Sequence, residues 1–196
     1  MVNPLRSLYD WVLSWADKPS GKGVLYSVAF AESSFFPVPP DPLLIAFCLS
    51  KPKESLKFAL FTTIFSVLGG ILGYTIGVFL FETVGKFLLN LYNYWDAYNS
   101  VKNMFDVYGF IAVLIAGFTP IPYKVFTIAS GSFYFNLPMF IAASLVSRGA
   151  RFFLVAIIML FFGEKAKRFI DKYFDWLALA FVLLIVLGFI FVKYVI

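Results

Sequence analysis

The sequence predicts an all-α integral membrane protein. It is read as two inverted repeats, each a proline-tipped re-entrant hairpin plus a transmembrane helix, with interfacial amphipathic helices and a C-terminal transmembrane helix. Three observations carry that reading. Apolar residues fill 61% of the 196 positions and charged residues only 14%, against roughly 45–50% and 25% in soluble domains. Two long apolar segments are interrupted by prolines, FFPVPPDP at 35–42 and GFTPIPYK at 117–124. The two interruptions also align with one another without a gap.

Taken in order, residues 1–20 read as an interfacial helix: Asn3 is a candidate N-cap, Pro4 suits the first helical position, and Trp11 and Trp15 anchor the membrane interface. Residues 24–81 form the first repeat. Proline removes an amide donor and clashes with the preceding turn, costing about 3 kcal/mol or more in a helix interior. Pro37, Pro39, Pro40 and Pro42 therefore end one helix before another begins. Irregular backbone at membrane depth persists only where protein or a watery cavity satisfies it, so the expected form is a half-helix in, a tip, and a half-helix out. The span that follows, over 56–81, carries Gly69, Gly73 and Gly77 on one face, the spacing that lets membrane helices approach closely.

Residues 86–106 place Phe87, Leu91, Tyr94, Tyr98, Val101 and Phe105 on one stripe and read as a second interfacial helix. Residues 107–163 form the second repeat, whose hairpin tip carries Pro120 and Pro122, and 174–196 is a terminal span. The whole is expected to be a single membrane domain. Pro37 falls on Pro120, Pro39 on Pro122 and Asp41 on Lys124 at a constant offset of 83. Paired proline-broken segments in matching places are the sequence signature of a transporter's binding site. Lysine and arginine number ten on one side of this topology and three on the other, which puts the N-terminus in the cytoplasm.

The charges inside apolar segments are the candidate site. A charge at the bilayer centre costs about 2.5–3.5 kcal/mol on insertion scales, so such residues face a cavity, a partner or a pathway. Arg148 and Arg151, three apart, share a helix face and offer two guanidinium forks to a phosphate or to carboxylates. Together with Lys124 they are the candidate anion or lipid-headgroup ligands. Glu32 and Asp41 are the candidate proton-coupling groups, since burial and a neighbouring arginine push a carboxyl's proton affinity in opposite directions. The alternative is a static cluster in which the arginines neutralise the carboxylates. Asp175 reads as an interface residue. Histidine is absent and Cys48 is the only cysteine. No catalytic residue, metal site or cofactor is therefore expected. The net charge of +5 sits in loops between apolar segments and does not indicate a nucleic-acid partner.

Ala31-Glu32, Phe36-Pro37-Val38-Pro39-Pro40-Asp41, the glycine-rich span, Tyr108-Gly109 and Phe118-Thr119-Pro120 resemble the DedA family of bacterial membrane proteins, also called SNARE-associated Golgi or VTT-domain proteins. The resemblance covers about 24–165. It implies two re-entrant hairpins, a bacterial inner membrane, and lipid handling: flipping or scrambling phospholipids, or returning polyprenyl phosphate carriers, with proton coupling in some members. Membrane lipids and protons are then the partners. Glu32 and Asp41 match the family's acidic positions around the first tip. The second hairpin departs from the pattern, with Gly117 and Tyr123 where the family has arginine and Lys124 next door, as befits a divergent branch with PIPYK. A proton-coupled small-ion transporter and a non-transporting membrane assembly factor are the competing functions.

Overall fold

The computed structural model describes residues 21–119, 121–163 and 165. The expected interfacial helix at 1–20, the terminal span at 174–196, Asp175 and Pro120 lie outside these. The described residues form helices joined by short breaks and turns, with no strand among them. We number the helices α1 (Gly21–Ser34), α2 (Asp41–Ser50), α3 (Ser55–Leu80), α4 (Lys86–Tyr92), α5 (Trp95–Phe118), α6 (Tyr123–Ser132) and α7 (Leu137–Gly163). Three continuous helices are long and apolar enough to cross a membrane: Pro52–Tyr92, Trp95–Phe118 and Leu137–Gly163. The burial pattern fits that solvent. Serines and threonines such as Ser33, Ser66, Thr127, Ser144 and Ser147 are buried, while Phe61, Leu68, Leu154 and Phe161 point outward, the reverse of a water-soluble core.

Local chemistry sets the breaks. The residue before a proline is pushed out of the helical region, and the proline itself has no amide to donate. α1 accordingly stops at Ser34, its last turn closed by the Phe35 and Phe36 amides on the Ala31 carbonyl, and the chain stays non-helical to Pro40. α5 ends likewise at Phe118, with Thr119 extended (φ −87°, ψ 171°) ahead of proline. α7 starts where the Asn136 side chain accepts from the Met139 amide at 3.0 Å, an N-cap with Pro138 in the first turn.

Contacts give the helix directions. Lys22 meets Glu54, Tyr26 stacks on Phe65, and Phe30 lies on Gly69, so α1 runs parallel to α3. Tyr123 lies at Gly70, Thr127 at Gly73 and Ile128 at Gly77, so α6 does too. α7 is antiparallel to α3, with Gly149 at Thr63, Arg148 at Ser66 and Phe140 at Gly70. α2 turns back beside α1 into a core of Leu25, Leu44, Phe47, Phe58 and Phe152; a second core around Val113, Tyr123, Phe135 and Phe140 joins α5, α6 and α7. The helix boundaries keep the 83-residue offset to within one residue. α1 ends at Ser34 and α5 at Phe118; α2 begins at Asp41 and α6 at Tyr123; α3 begins at Ser55 and α7 at Leu137.

One expected element is differently divided. Residues 86–106 are not a single helix. α3 continues through a π-helical turn at Phe81–Gly85 into α4, and the break comes at Asn93, whose left-handed φ of 54° ends α4. Asparagine tolerates that conformation better than most residues. No proline interrupts 95–118, so helical hydrogen bonding carries α5 through the expected boundary at 107. The first limb of the expected second hairpin is thus the end of a span-length helix.

Candidate functional site

The two helix breaks lie against each other. Lys124, in the first turn of α6, donates to the Phe36 carbonyl at 3.3 Å. The Thr127 hydroxyl lies 3.2 Å from the Ser33 carbonyl. Arg151 of α7 spans both breaks: Nη1 donates to the Thr119 carbonyl at 2.9 Å, while Nε and Nη2 grip Asp41 Oδ1 and Oδ2 at 3.0 and 2.9 Å. That is the parallel fork geometry of the strongest charge-assisted pairs. Phe36 and Thr119 stand 83 residues apart, each just past the end of a helix. The last carbonyls of a helix lack intrahelical donors and carry the negative end of its dipole, so a cation at each is physically apt.

One turn along α7, Arg148 donates from Nη2 to Glu32 at 2.6 Å and from Nε to the Ser66 hydroxyl at 2.7 Å. Ser66 in turn bonds Ser33, which leans back on Glu32. The guanidinium also lies 5.1 Å from the Tyr123 ring centre and 4.7 Å from that of Phe152. Arg148 is 2% exposed and Glu32 15%, while Arg151 and Asp41 are 24% and 18% exposed. The structure thereby brings Glu32, Asp41, Lys124, Arg148 and Arg151 to one junction and resolves them into two ion pairs and a lysine on a carbonyl.

Glycine makes the junction possible. A Cβ at Gly69 would fall on the Phe30 carbonyl, one at Gly73 on the Thr127 hydroxyl, and one at Gly77 on the Ile128 carbonyl. α3 therefore holds α1 and α6 at backbone contact. Pro37 and Pro39 lie at the first break and Pro40 is buried beneath it; Pro122 is exposed at the second. Among the described residues no cluster of metal-ligating side chains occurs.

Several partners escaped the sequence reading. Ser33 and Ser66 are ordinary hydroxyls in apolar helices, flagged only by Ser66 preceding the glycine face by one turn. The carbonyls of Phe36 and Thr119 have no side-chain signature, though their places just before a proline mark them as helix ends.

No family model matches the chain, and no solved structure matches it. An uncharacterized protein of Haemophilus influenzae is 36% identical over 187 residues, covering 95% of this chain and 97% of its own length. An uncharacterized homologue from Histophilus somni is 31% identical over the same shares of each chain. At that identity over nearly the full length, the chain belongs to one family with these two proteins.

Proposed function

We propose that this protein is a membrane lipid transporter, flippase- or scramblase-like. In this reading it holds the anionic headgroup of a phospholipid or polyprenyl phosphate where the two helix breaks meet, with Glu32 or Asp41 taking up protons as it does so. The observation that carries the proposal is the pair of arginine–carboxylate contacts, Arg148–Glu32 and Arg151–Asp41, inside a bundle whose outer surface is apolar. Isolated charges there are costly. A static cluster would not need to sit where two proline breaks meet.

The helix directions support re-entrant hairpins in inverted repeats. α1 and α2 reach the junction from the end of the bundle that holds Lys22 and Glu54; α5 and α6 reach it from the end that holds Asn93 and Tyr134. α3 and α7 run oppositely between them. The lysine and arginine distribution favours the cytoplasm for the end with Lys51, Lys53 and Lys57, and we take a bacterial inner membrane as the setting. Kinship with DedA proteins draws support from one packing detail. The resemblance expects arginine at the positions of Gly117 and Tyr123, and Arg148 lies against both: its Cδ comes within 3.6 Å of a Cβ built at Gly117, and its guanidinium faces the Tyr123 ring. A charge missing from the second hairpin is thereby restored from α7.

The test is fluorescent-phospholipid translocation by the purified protein in liposomes, with and without a pH gradient. Movement above protein-free liposomes, faster with a gradient, is expected. Folded protein that moves no lipid overturns the proposal, and proton-driven uptake of a small anion in the same liposomes would put the small-ion carrier in its place.

A further inference from the structure

We infer that the two arginines have different tasks: Arg148 is a fixed post, and Arg151 is the exchangeable ligand that releases Asp41 to accept one phosphate group as Asp41 accepts one proton. This rests on the transport reading above and assigns its steps to residues.

Arg148 has little freedom to exchange. It is 2% exposed, bonded to both Ser66 and Glu32, and faced by two aromatic rings. Gly117 leaves just enough room for Ser147 and the Arg148 stem. A phosphate could reach it only by dismantling the packing of α3, α5 and α7.

Arg151 differs in each respect. A quarter of its side chain is exposed. The fork it presents to Asp41 is the one it would present to two phosphate oxygens. Its third contact, Nη1 on the Thr119 carbonyl, keeps the guanidinium in place when the carboxylate leaves. Asp41 opens α2, so the electropositive end of that ten-residue helix lies beside the exchange.

Charge conservation ties the proton to the anion. Arg151 with ionised Asp41 is neutral. Arg151 with a phosphodiester and a protonated Asp41 is neutral as well, the proton having come from solvent and the two guanidinium hydrogen bonds having passed from carboxylate to phosphate. An anion arriving without the proton would leave an uncompensated charge in an apolar setting. The groups facing Asp41 among the described residues are consistent with this. Arg151 comes from α7. Lys124 of α6 is held on the Phe36 carbonyl. The Glu32–Arg148 pair, one turn along α7, is self-neutralised.

Binding to the detergent-solubilised full chain by titration calorimetry, in two buffers of different ionisation enthalpy, reads affinity and proton uptake together. The probes are dihexanoyl phosphatidylglycerol and dimethyl phosphate, phosphodiesters that keep one negative charge throughout the working pH range. Wild-type protein should take up one proton per phosphodiester near neutral pH. Arg151→Lys should weaken binding by at least ~10-fold, because the fork is lost while the charge remains. Asp41→Asn should bind at least ~10-fold tighter than wild type at pH 8, with no proton uptake, because the competing carboxylate is gone. An Asp41→Asn protein that still takes up a proton, or that binds more weakly, overturns the inference. If Asp41→Asn does not fold, Asp41→Ser gives the same reading. Dimethyl phosphate binding as tightly as the lipid would keep the exchange but make the ligand a soluble phosphate. Tight lipid binding with no translocation in liposomes would likewise keep the exchange and remove the transport reading.

Discussion

α3 and α7 occupy equivalent places in the 83-residue alignment, yet they hold the helix breaks by opposite means. α3 uses absence: Gly69, Gly73 and Gly77 bring α1 and α6 to backbone contact. α7 uses charge, with Arg148 and Arg151 reaching the carboxyls of Glu32 and Asp41. Phe65 and Leu68 stand on α3 where α7 has the two arginines, and Phe152 and Ala156 stand on α7 where α3 has Gly69 and Gly73. The 83-residue alignment relates the two spans, and the two arginines sit where it breaks down. Glycine contact is steric and admits no alternative partner. A guanidinium can change partners, so the charged side of the junction is the one fit to move.

The largest expected effects lie on the glycine side. Gly77→Ala and Gly131→Ala would each set a methyl on a carbonyl oxygen of the facing helix, Ile128 and Tyr74 respectively. Backbone on both sides cannot yield as a side chain can. Each should cost about 3 kcal/mol or more, at the upper end of overpacking penalties, read as loss of monodisperse protein or a large fall in melting temperature. Gly149→Ala on α7, whose added Cβ would meet the Thr63 methyl at 3.7 Å, should be close to neutral in the same assay. Equal sensitivity at Gly77 and Gly149 would erase the contrast between the spans.

Arg148→Ala is of comparable size. It leaves Glu32, only 15% exposed, without its cation, and breaking a buried pair costs about 3–5 kcal/mol. Arg151→Ala should cost less, roughly 1–2 kcal/mol, because the arginine removed is 24% exposed against 2% for Arg148, and Asp41 keeps the electropositive start of α2 beside it. The order of the two melting temperatures tests the division between post and ligand; the reverse order contradicts it. The smallest effect belongs to Lys102→Ala, away from both spans. Its exposed pair with Asp106, one turn along α5, should contribute only about 0.3–0.5 kcal/mol.

The interruptions at 35–40 and 119–122 were legible in the sequence because proline acts on its own neighbours: a missing amide and a clash need no tertiary partner. The long apolar runs from 56 and 138 likewise marked where α3 and α7 begin. Glu32, Asp41, Arg148 and Arg151 stood out as charges among apolar residues, yet nothing in their order said that Arg148 would take Glu32 and Arg151 would take Asp41. That pairing depends on α7 running antiparallel to α3 and parallel to α2, a three-dimensional fact. The break at Asn93 was hidden for a different reason. Neither proline nor glycine marks it, and the aromatic stripe from Phe87 to Phe105 runs across it without a gap. The hydroxyls of Ser33 and Ser66 had no signal beyond being polar in an apolar run.

The central claim is that the two breaks reach their junction from opposite faces of the membrane. Single cysteines at Lys53, Asn93 and Asn136, placed in a Cys48→Ala background, test it by labelling sealed, uniformly oriented vesicles with a membrane-impermeant maleimide. Lys53 lies in the turn between α2 and α3, Asn93 in the turn before α5, and Asn136 in the turn before α7. The account predicts that Lys53→Cys is labelled from one side and both Asn93→Cys and Asn136→Cys from the other. Labelling of Asn93→Cys and Asn136→Cys from opposite sides would mean that α5 and α6 together cross the membrane, and would contradict it.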